Sequence, residues 1–300
     1  MRLFRLIFAL AMAGLVGTHA AAAAPKFGAQ GAEGSPNRKQ QWLVPTPDPD
    51  VAAHALLFRP PGDGPFPLAL IAHASTQNDL RRAQMPQPEY RALAAWLVAK
   101  GYAVLVPERP GHGATGGKYL EDQGGCDEAN YSRAGYATAD TIKAALSYVS
   151  SESFIQSAGA VVVGHSAGAW GALAFATDAD PKEISAIIAF APGRGGHAND
   201  TPNQVCAPQK LIASAAEFGD DARVPVTWLV AANDSYFSPD LSKQMADAFR
   251  AGGDKVDFRV LPAFGTDGHA LAESDGTEKI FGPALEAALK APAAKSAGKR

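Results

Sequence analysis

Short apolar runs recur along this chain, and most are followed by a stretch with helical spacing. Residues 67–73 (Pro-Leu-Ala-Leu-Ile-Ala-His), 102–106, 160–163, 184–190 and 226–230 each have strand length and no Asp, Glu, Lys or Arg, and 256–261 has strand length with Asp257 and Arg259 among its apolar residues. Helical periodicity marks residues 89–100, where Tyr90, Leu93, Trp96 and Leu97 share a face and Gly101 supplies a C-terminal cap. It recurs at 136–149, 239–251 and 280–289, and an apolar helix pattern begins after residue 168. Short, mostly apolar strands that alternate with helices predict an α/β fold, a mainly parallel sheet of about eight strands covered on both faces. Residues 41–60 add one or two antiparallel edge strands. In such a sheet, chemistry gathers in the loops that leave the carboxyl ends of the strands.

One of those loops carries Gly164-His165-Ser166-Ala167-Gly168, directly after the valine strand and before the apolar helix. A strand–G-x-S-x-G–helix passage presents a serine on a sharp, strained turn as a nucleophile. Side chains at 164 or 168 would strike the neighbouring strand or helix. Ser166 also stands at a helix N-terminus, where free N–H groups favour a developing oxyanion.

A serine hydroxyl needs a base held in one tautomer. In this architecture the chain order is serine, acid, histidine, and only His197 and His269 follow Ser166. His269 lies in a Gly-rich loop after the last apolar strand and is the expected base; His197 suits the pocket rim. Asp234, in the loop after 226–230, is the expected acid. Asp220 and Asp221 precede that strand, Asp267 reads as a turn residue, and Asp240 belongs to the first turn of a helix. Two backbone donors complete an oxyanion hole: Ala167 N–H, and one from Ala74-Ser75-Thr76 after the first parallel strand, with Ser75 preferred to Ala74. His73 reads as a hydrogen-bonding residue beneath that loop, His112 and His165 as loop or pocket-wall residues, and Trp170 as core. No histidine pair has metal-ligand spacing, and no cofactor is expected.

The 300 residues are 47% hydrophobic, enough for one large domain (residues 42–290). Met1-Arg2-Leu3-Phe4-Arg5, the apolar run 6–16 and the small residues of 18–24 read as a secretory signal cleaved between residues 20 and 24. Its removal takes two of the 27 basic residues against 30 acidic ones. The remaining negative balance argues against a nucleic-acid surface, and no other segment is expected to enter a membrane. Residues 25–41 read as a flexible lead-in and 291–300 as a disordered basic tail. Export would place the two cysteines, Cys126 and Cys206, in an oxidising compartment, where an even count favours one disulfide. Both fall in loops on the edge that carries Ser166.

From about residue 55 to 289 the chain resembles the α/β-hydrolase superfamily, and within it the dienelactone-hydrolase-like exported serine hydrolases. The resemblance rests on His73-Ala74-Ser75, Arg109-Pro110-Gly111-His112-Gly113, the 164–168 elbow, Asn233-Asp234-Ser235-Tyr236-Phe237 and Gly265-Thr266-Asp267-Gly268-His269. It implies hydrolysis of small-molecule esters through an acyl-enzyme. Dienelactone hydrolases proper use a cysteine nucleophile where this chain has serine, so lactone-specific chemistry is not implied. A peptidase or amidase with the same triad is the alternative, its substrate terminus met by Arg81, Arg82 or Arg194. A non-catalytic binding protein of the same fold is a third reading.

Overall fold

Among the described residues nine strands form one sheet: β1 (Gly28–Ala29), β2 (Gln40–Pro45), β3 (Ala52–Phe58), β4 (Leu68–Ala72), β5 (Ala103–Pro107), β6 (Ala160–His165), β7 (Ile184–Phe190), β8 (Val226–Ala231) and β9 (Val256–Leu261). The computed structural model describes residues 26–253 and 256–290. The expected export signal and basic tail lie outside them. Across the sheet the order is β1-β2-β3-β5-β4-β6-β7-β8-β9. From β5 to β9 all neighbours are parallel, while β1, β2 and β3 join antiparallel at one edge. The chain proceeds from β4 outward to β5 and then crosses back to β6. The carboxyl ends of β4 and β6 are therefore the switch point where such sheets open a crevice.

Of residues 25–41, expected to be a flexible lead-in, the described part, 26–41, departs from that expectation. Gly28 pairs with Leu43 and Ala29 with Trp42, and the Gln40 side chain donates to the Gly31 carbonyl at 2.6 Å. Two residues are too few to show alternation, so composition alone conceals this ninth strand.

The helices are α1 (Asp79–Ala83), α2 (Arg91–Ala99), α3 (Tyr131–Val149), α4 (Ala167–Phe175), α5 (Pro208–Asp221), α6 (Pro239–Ala251) and α7 (Glu278–Lys290). Because successive strand side chains face opposite ways, β6 feeds two cores. Val162 joins Leu70, Ile187 and Trp228 beneath α3, α4, α5 and α6, whereas Val161 and Val163 join Ile71, Ile188 and Leu229 beneath α2 and α7. Trp170 is fully buried, and its indole N–H donates to the Tyr131 carbonyl at 2.9 Å, tying α4 to α3.

Cys126 and Cys206 form a disulfide with their Cα atoms 5.0 Å apart across a sequence separation of 80. It ties the loop before α3 to the loop between β7 and α5. Closing a loop of that length stabilises a fold by about 4–5 kcal/mol in the chain-entropy view. The double variant Cys126→Ser/Cys206→Ser is expected to melt roughly 10 °C lower. Thermal unfolding followed by circular dichroism checks this, and an unchanged melting temperature would show that the bridge contributes nothing to stability.

Candidate active site

The turn after β6 is shaped by what its glycines touch. A Cβ on Gly164 would lie 2.3 Å from Ala169 Cα, and one on Gly168 would lie 2.1 Å from the Ala72 carbonyl oxygen of β4. Backbone would have to move in both cases, so only glycine lets α4 start this close to the sheet. Between them Ser166 has φ 54° and ψ −119°, a conformation that L-residues rarely adopt and that persists only where surroundings enforce it. Its N–H is held by the Phe190 carbonyl of β7 at 2.9 Å, and its own carbonyl accepts Trp170 N–H at 2.9 Å.

Asp234 follows β8, as expected, and is buried. Its Oδ1 accepts the N–H groups of Tyr236 and Phe237 at 2.9 and 2.8 Å, and its Oδ2 faces His269 Nδ1 at 3.0 Å. The carboxylate accepts, so Nδ1 carries the imidazole proton and Nε2 keeps its lone pair. His269 comes from the segment after β9, and the loop that carries it is clamped to the loop of Asp234. Asn233 exchanges hydrogen bonds with Phe264 and Gly265, while Asp267 accepts from Ser235 N, Ser235 Oγ and His269 N. Asp267 thus occupies the turn role expected of it. Ser166 and His269 line one cavity of about 410 Å³. Among the described residues no hydrogen bond joins them, a separation that substrate commonly tightens in sites of this kind.

The loop after β4 forms the opposite wall. Arg109 N–H donates to His73 Nε2 at 3.0 Å, so His73 Nδ1 bears the proton and donates to the Ala74 carbonyl at 2.6 Å. A trans peptide points its C=O and N–H in opposite directions, so holding the Ala74 carbonyl also aims the Ser75 N–H. His112 Nδ1 lies 3.1 Å from the carbonyls of both Arg109 and Pro110, which leaves Nε2 to accept the Ser75 hydroxyl at 2.7 Å. Burial lowers His112 to about 4 and, with Arg109 beside it, holds His73 well below the usual histidine range. Both rings are neutral at pH 7. Ala74 N–H is taken by Tyr90 Oη at 3.0 Å. Among the described residues, neither Ser75 N–H nor Ala167 N–H donates to a protein group.

Residues 55–296 match the family model described as the dienelactone hydrolase family. The chain belongs to the dienelactone hydrolase family. No curated protein matches it in sequence. Among solved structures it is similar to the Pyrococcus furiosus esterase Pf2001, at 17% identity and TM-score 0.56 over 84% of this chain and 90% of that one. A putative dienelactone hydrolase from Klebsiella pneumoniae aligns at 17% identity and TM-score 0.52, over 84% and 97% of the two chains. Est1E from Butyrivibrio proteoclasticus, solved with ferulic acid bound, aligns at 17% and 0.54, over 81% and 98%. At these identities the likeness shows a shared fold, and the residue roles rest on the geometry.

This dienelactone hydrolase family member also holds a buried charge cluster that sequence reasoning missed. Glu121 is fully buried between Arg109, whose Nε lies 2.6 Å from Oε1, and Arg194, which contacts Oε2. Burial alone would raise the Glu121 carboxyl, but the two guanidinium groups hold it well below its ordinary value. Arg109 also donates to the His73 carbonyl at 2.6 Å, so the cluster braces the β4 loop from below. Glu121 sits in a Gly-rich loop where an acidic residue reads as solvated, and its partners lie 12 and 73 positions away. Tyr236 was missed as well. Its ring stacks on His269 with centroids 4.2 Å apart and, on its other side, on His197 at 3.6 Å. His197 lines the cavity and bonds Ser235 Oγ at 2.8 Å, as suits a rim residue.

Proposed function

We propose that this protein is an exported serine hydrolase of small-molecule carboxylic esters, with Ser166 as nucleophile, His269 as base and Asp234 as its orienting acid. The observation that carries the reading is the contact of Asp234 Oδ2 with His269 Nδ1 at 3.0 Å, made in the cavity that the strained Ser166 also lines. Ser166 Oγ attacks the ester carbonyl carbon while His269 Nε2 takes its proton. The N–H groups of Ala167 and Ser75 receive the charge that develops on the carbonyl oxygen, an arrangement worth about 3–4 kcal/mol of barrier per donor. As the C–O bond to the leaving alcohol breaks, His269 returns the proton to that oxygen and an acyl-Ser166 ester remains. Water then attacks by the same route and frees the acid. The apolar, basic N-terminus and the Cys126–Cys206 bridge support export.

A peptidase would need a group for a substrate terminus, and two of the three candidate arginines are already committed. Arg194 is bound to Glu121, and Arg82 is buried against the Tyr119 ring, bonding Thr76 O and Asp79. Arg81 alone stands exposed on the cavity wall. Hydrolysis of p-nitrophenyl acetate, with covalent modification of Ser166 by a fluorophosphonate, tests the ester reading. A matched aminoacyl-anilide turned over at an equal rate would favour the peptidase, and no labelling would favour a binding protein.

The cavity wall also constrains the acyl group. Ser75, Asn78, Arg81, Gln123, Arg194 and His197 line it, and Tyr236 and Phe237 are its large rings. A polar wall gains little from each added methylene, whereas an apolar pocket gains roughly 1–3 kcal/mol. Acetyl, butyryl and octanoyl esters are therefore expected to stay within about tenfold of one another in kcat/KM, as measured with a p-nitrophenyl series. A kcat/KM that rises steadily to octanoate would contradict the polar wall.

A further inference from the structure

Behind the triad a hydrogen-bond chain joins the loop after β4, the elbow and the loop of His269, and simple acceptor chemistry sets its polarity. His165 Nε2 lies 2.8 Å from the carbonyl oxygen of His269, and His165 Nδ1 lies 3.0 Å from Tyr90 Oη. A carbonyl can only accept, so Nε2 carries the proton. Burial, with the His269 ring beside it, lowers His165 to about 3. The imidazole is therefore neutral, and Nδ1 offers a lone pair. Tyr90 must donate to it, and burial together with the nearby Glu273 raises the phenol far above its ordinary value, keeping that proton in place. The same phenol oxygen accepts Ala74 N–H at 3.0 Å. The chain thus runs from Ala74 N–H to Tyr90 O–H to His165, and from His165 Nε2–H to the His269 carbonyl, with no donor or acceptor used twice in conflict.

The backbone supplies a second, independent sign. Tyr90 precedes α2 in the left-handed region, at φ 49° and ψ 48°, and its side chain makes no capping hydrogen bond to that helix. A left-handed aromatic residue is strained and persists only where its surroundings enforce it. A helix start could be made without it, whereas this conformation buries the ring and brings the hydroxyl to both Ala74 and His165.

We propose that Tyr90 and His165 are positioning residues of the hydrolytic site, holding the oxyanion loop and the base loop at a fixed separation across the elbow. This rests on the triad reading above. On one side the chain anchors Ala74, whose carbonyl is already held by His73, and so sets the Ser75 N–H in the next peptide. On the other it anchors the backbone of His269 itself. His165 is the residue before the nucleophile, so both spans are referred to Ser166. Neither Tyr90 nor His165 needs to touch substrate for this role.

The experiment compares Tyr90→Phe, His165→Leu, His165→Gln and Ser166→Ala in one ester assay with melting curves. Misplacement of reacting groups by about 1 Å costs on the order of a hundredfold. Tyr90→Phe and His165→Leu are accordingly expected to lower kcat by about ten- to a hundredfold while KM stays within about threefold. His165→Gln places an amide donor near the site of Nε2 and is expected to recover most of the loss. Tyr90→Phe is nearly isosteric, so it reads the proposal even if His165→Leu does not fold. A wild-type kcat in Tyr90→Phe overturns the proposal, as does a loss confined to KM or equal losses in folded Gln and Leu variants. Undiminished activity in Ser166→Ala would instead remove the triad reading on which it stands.

Discussion

Replacement of Ser166 by alanine is expected to lower kcat for short esters by about 10⁶-fold, leaving only the residual acceleration of the oxyanion donors and binding. The size follows from cooperation within the site. In the proposed triad, His269 accepts a proton usefully only if an attacking hydroxyl supplies it, and Asp234 acts only through His269. Loss of the nucleophile therefore removes most of what all three contribute. The fold should be unaffected, because the Ser166 side chain makes no hydrogen bond among the described residues and its backbone bonds to Phe190 and Trp170 remain. Alanine has a Cβ like serine, so the strain at φ 54° is the same in both. Steady-state rates with p-nitrophenyl acetate, a melting curve and fluorophosphonate labelling check the three parts. A folded Ser166→Ala protein that hydrolyses esters at more than a few per cent of the wild-type rate would locate the chemistry elsewhere.

What could be read from the sequence divides along a physical line. β7, β9 and α6 lie where apolar runs and helical spacing placed them, at Ile184–Phe190, Val256–Leu261 and Pro239–Ala251. Their patterns are local: β7 and the inner face of α6 are buried in the usual way, while β9, at the sheet edge, buries only Leu261. The elbow was equally legible, because close approach demands glycine at 164 and 168 whatever the rest of the fold does. Asp234 and His269 could be placed because each follows an apolar strand, and strand ends share one edge of a parallel sheet. The sequence was silent wherever a residue's meaning depends on distant partners. Tyr90 looks like an apolar position of a helix over 89–100, yet α2 starts at Arg91 and Tyr90 is bent out of it to meet Ala74 and His165. Glu121 looks solvated, yet it is the centre of a buried cluster. α5 has no counterpart among the expected elements: it follows the long loop to Pro208, and its buried stripe of Leu211, Ser214, Ala215 and Phe218 is interrupted by a serine. α3 starts at Tyr131, five residues before the expected start, because Asn130 caps it by accepting Arg133 N–H.

Asp234→Asn carries the second largest expected loss, about 10⁴-fold in kcat. Asparagine keeps Oδ1 as an acceptor for the N–H groups of Tyr236 and Phe237, so the loop after β8 can retain its shape. The other terminus changes from an acceptor to an NH₂ donor, and it faces His269 Nδ1, 3.0 Å from Oδ2 in the native protein. Two donors cannot share that contact, so Nδ1 becomes the lone-pair nitrogen and Nε2 takes the proton. His269 then presents N–H toward Ser166 and cannot deprotonate it. The carboxylate that would stabilise the imidazolium is lost as well. Asp267 provides the contrast, since it is also a carboxylate of the base loop and also meets His269, but through the backbone N–H at 3.0 Å. Asp267→Asn leaves the imidazole tautomer alone and is expected to cost far less kcat than Asp234→Asn, with its main effect on the melting temperature. Parallel kinetics and melting curves of the two variants decide the assignment. An Asp267→Asn enzyme as impaired in kcat as Asp234→Asn, with both folded, would mean that loop geometry rather than the tautomer of His269 limits the reaction.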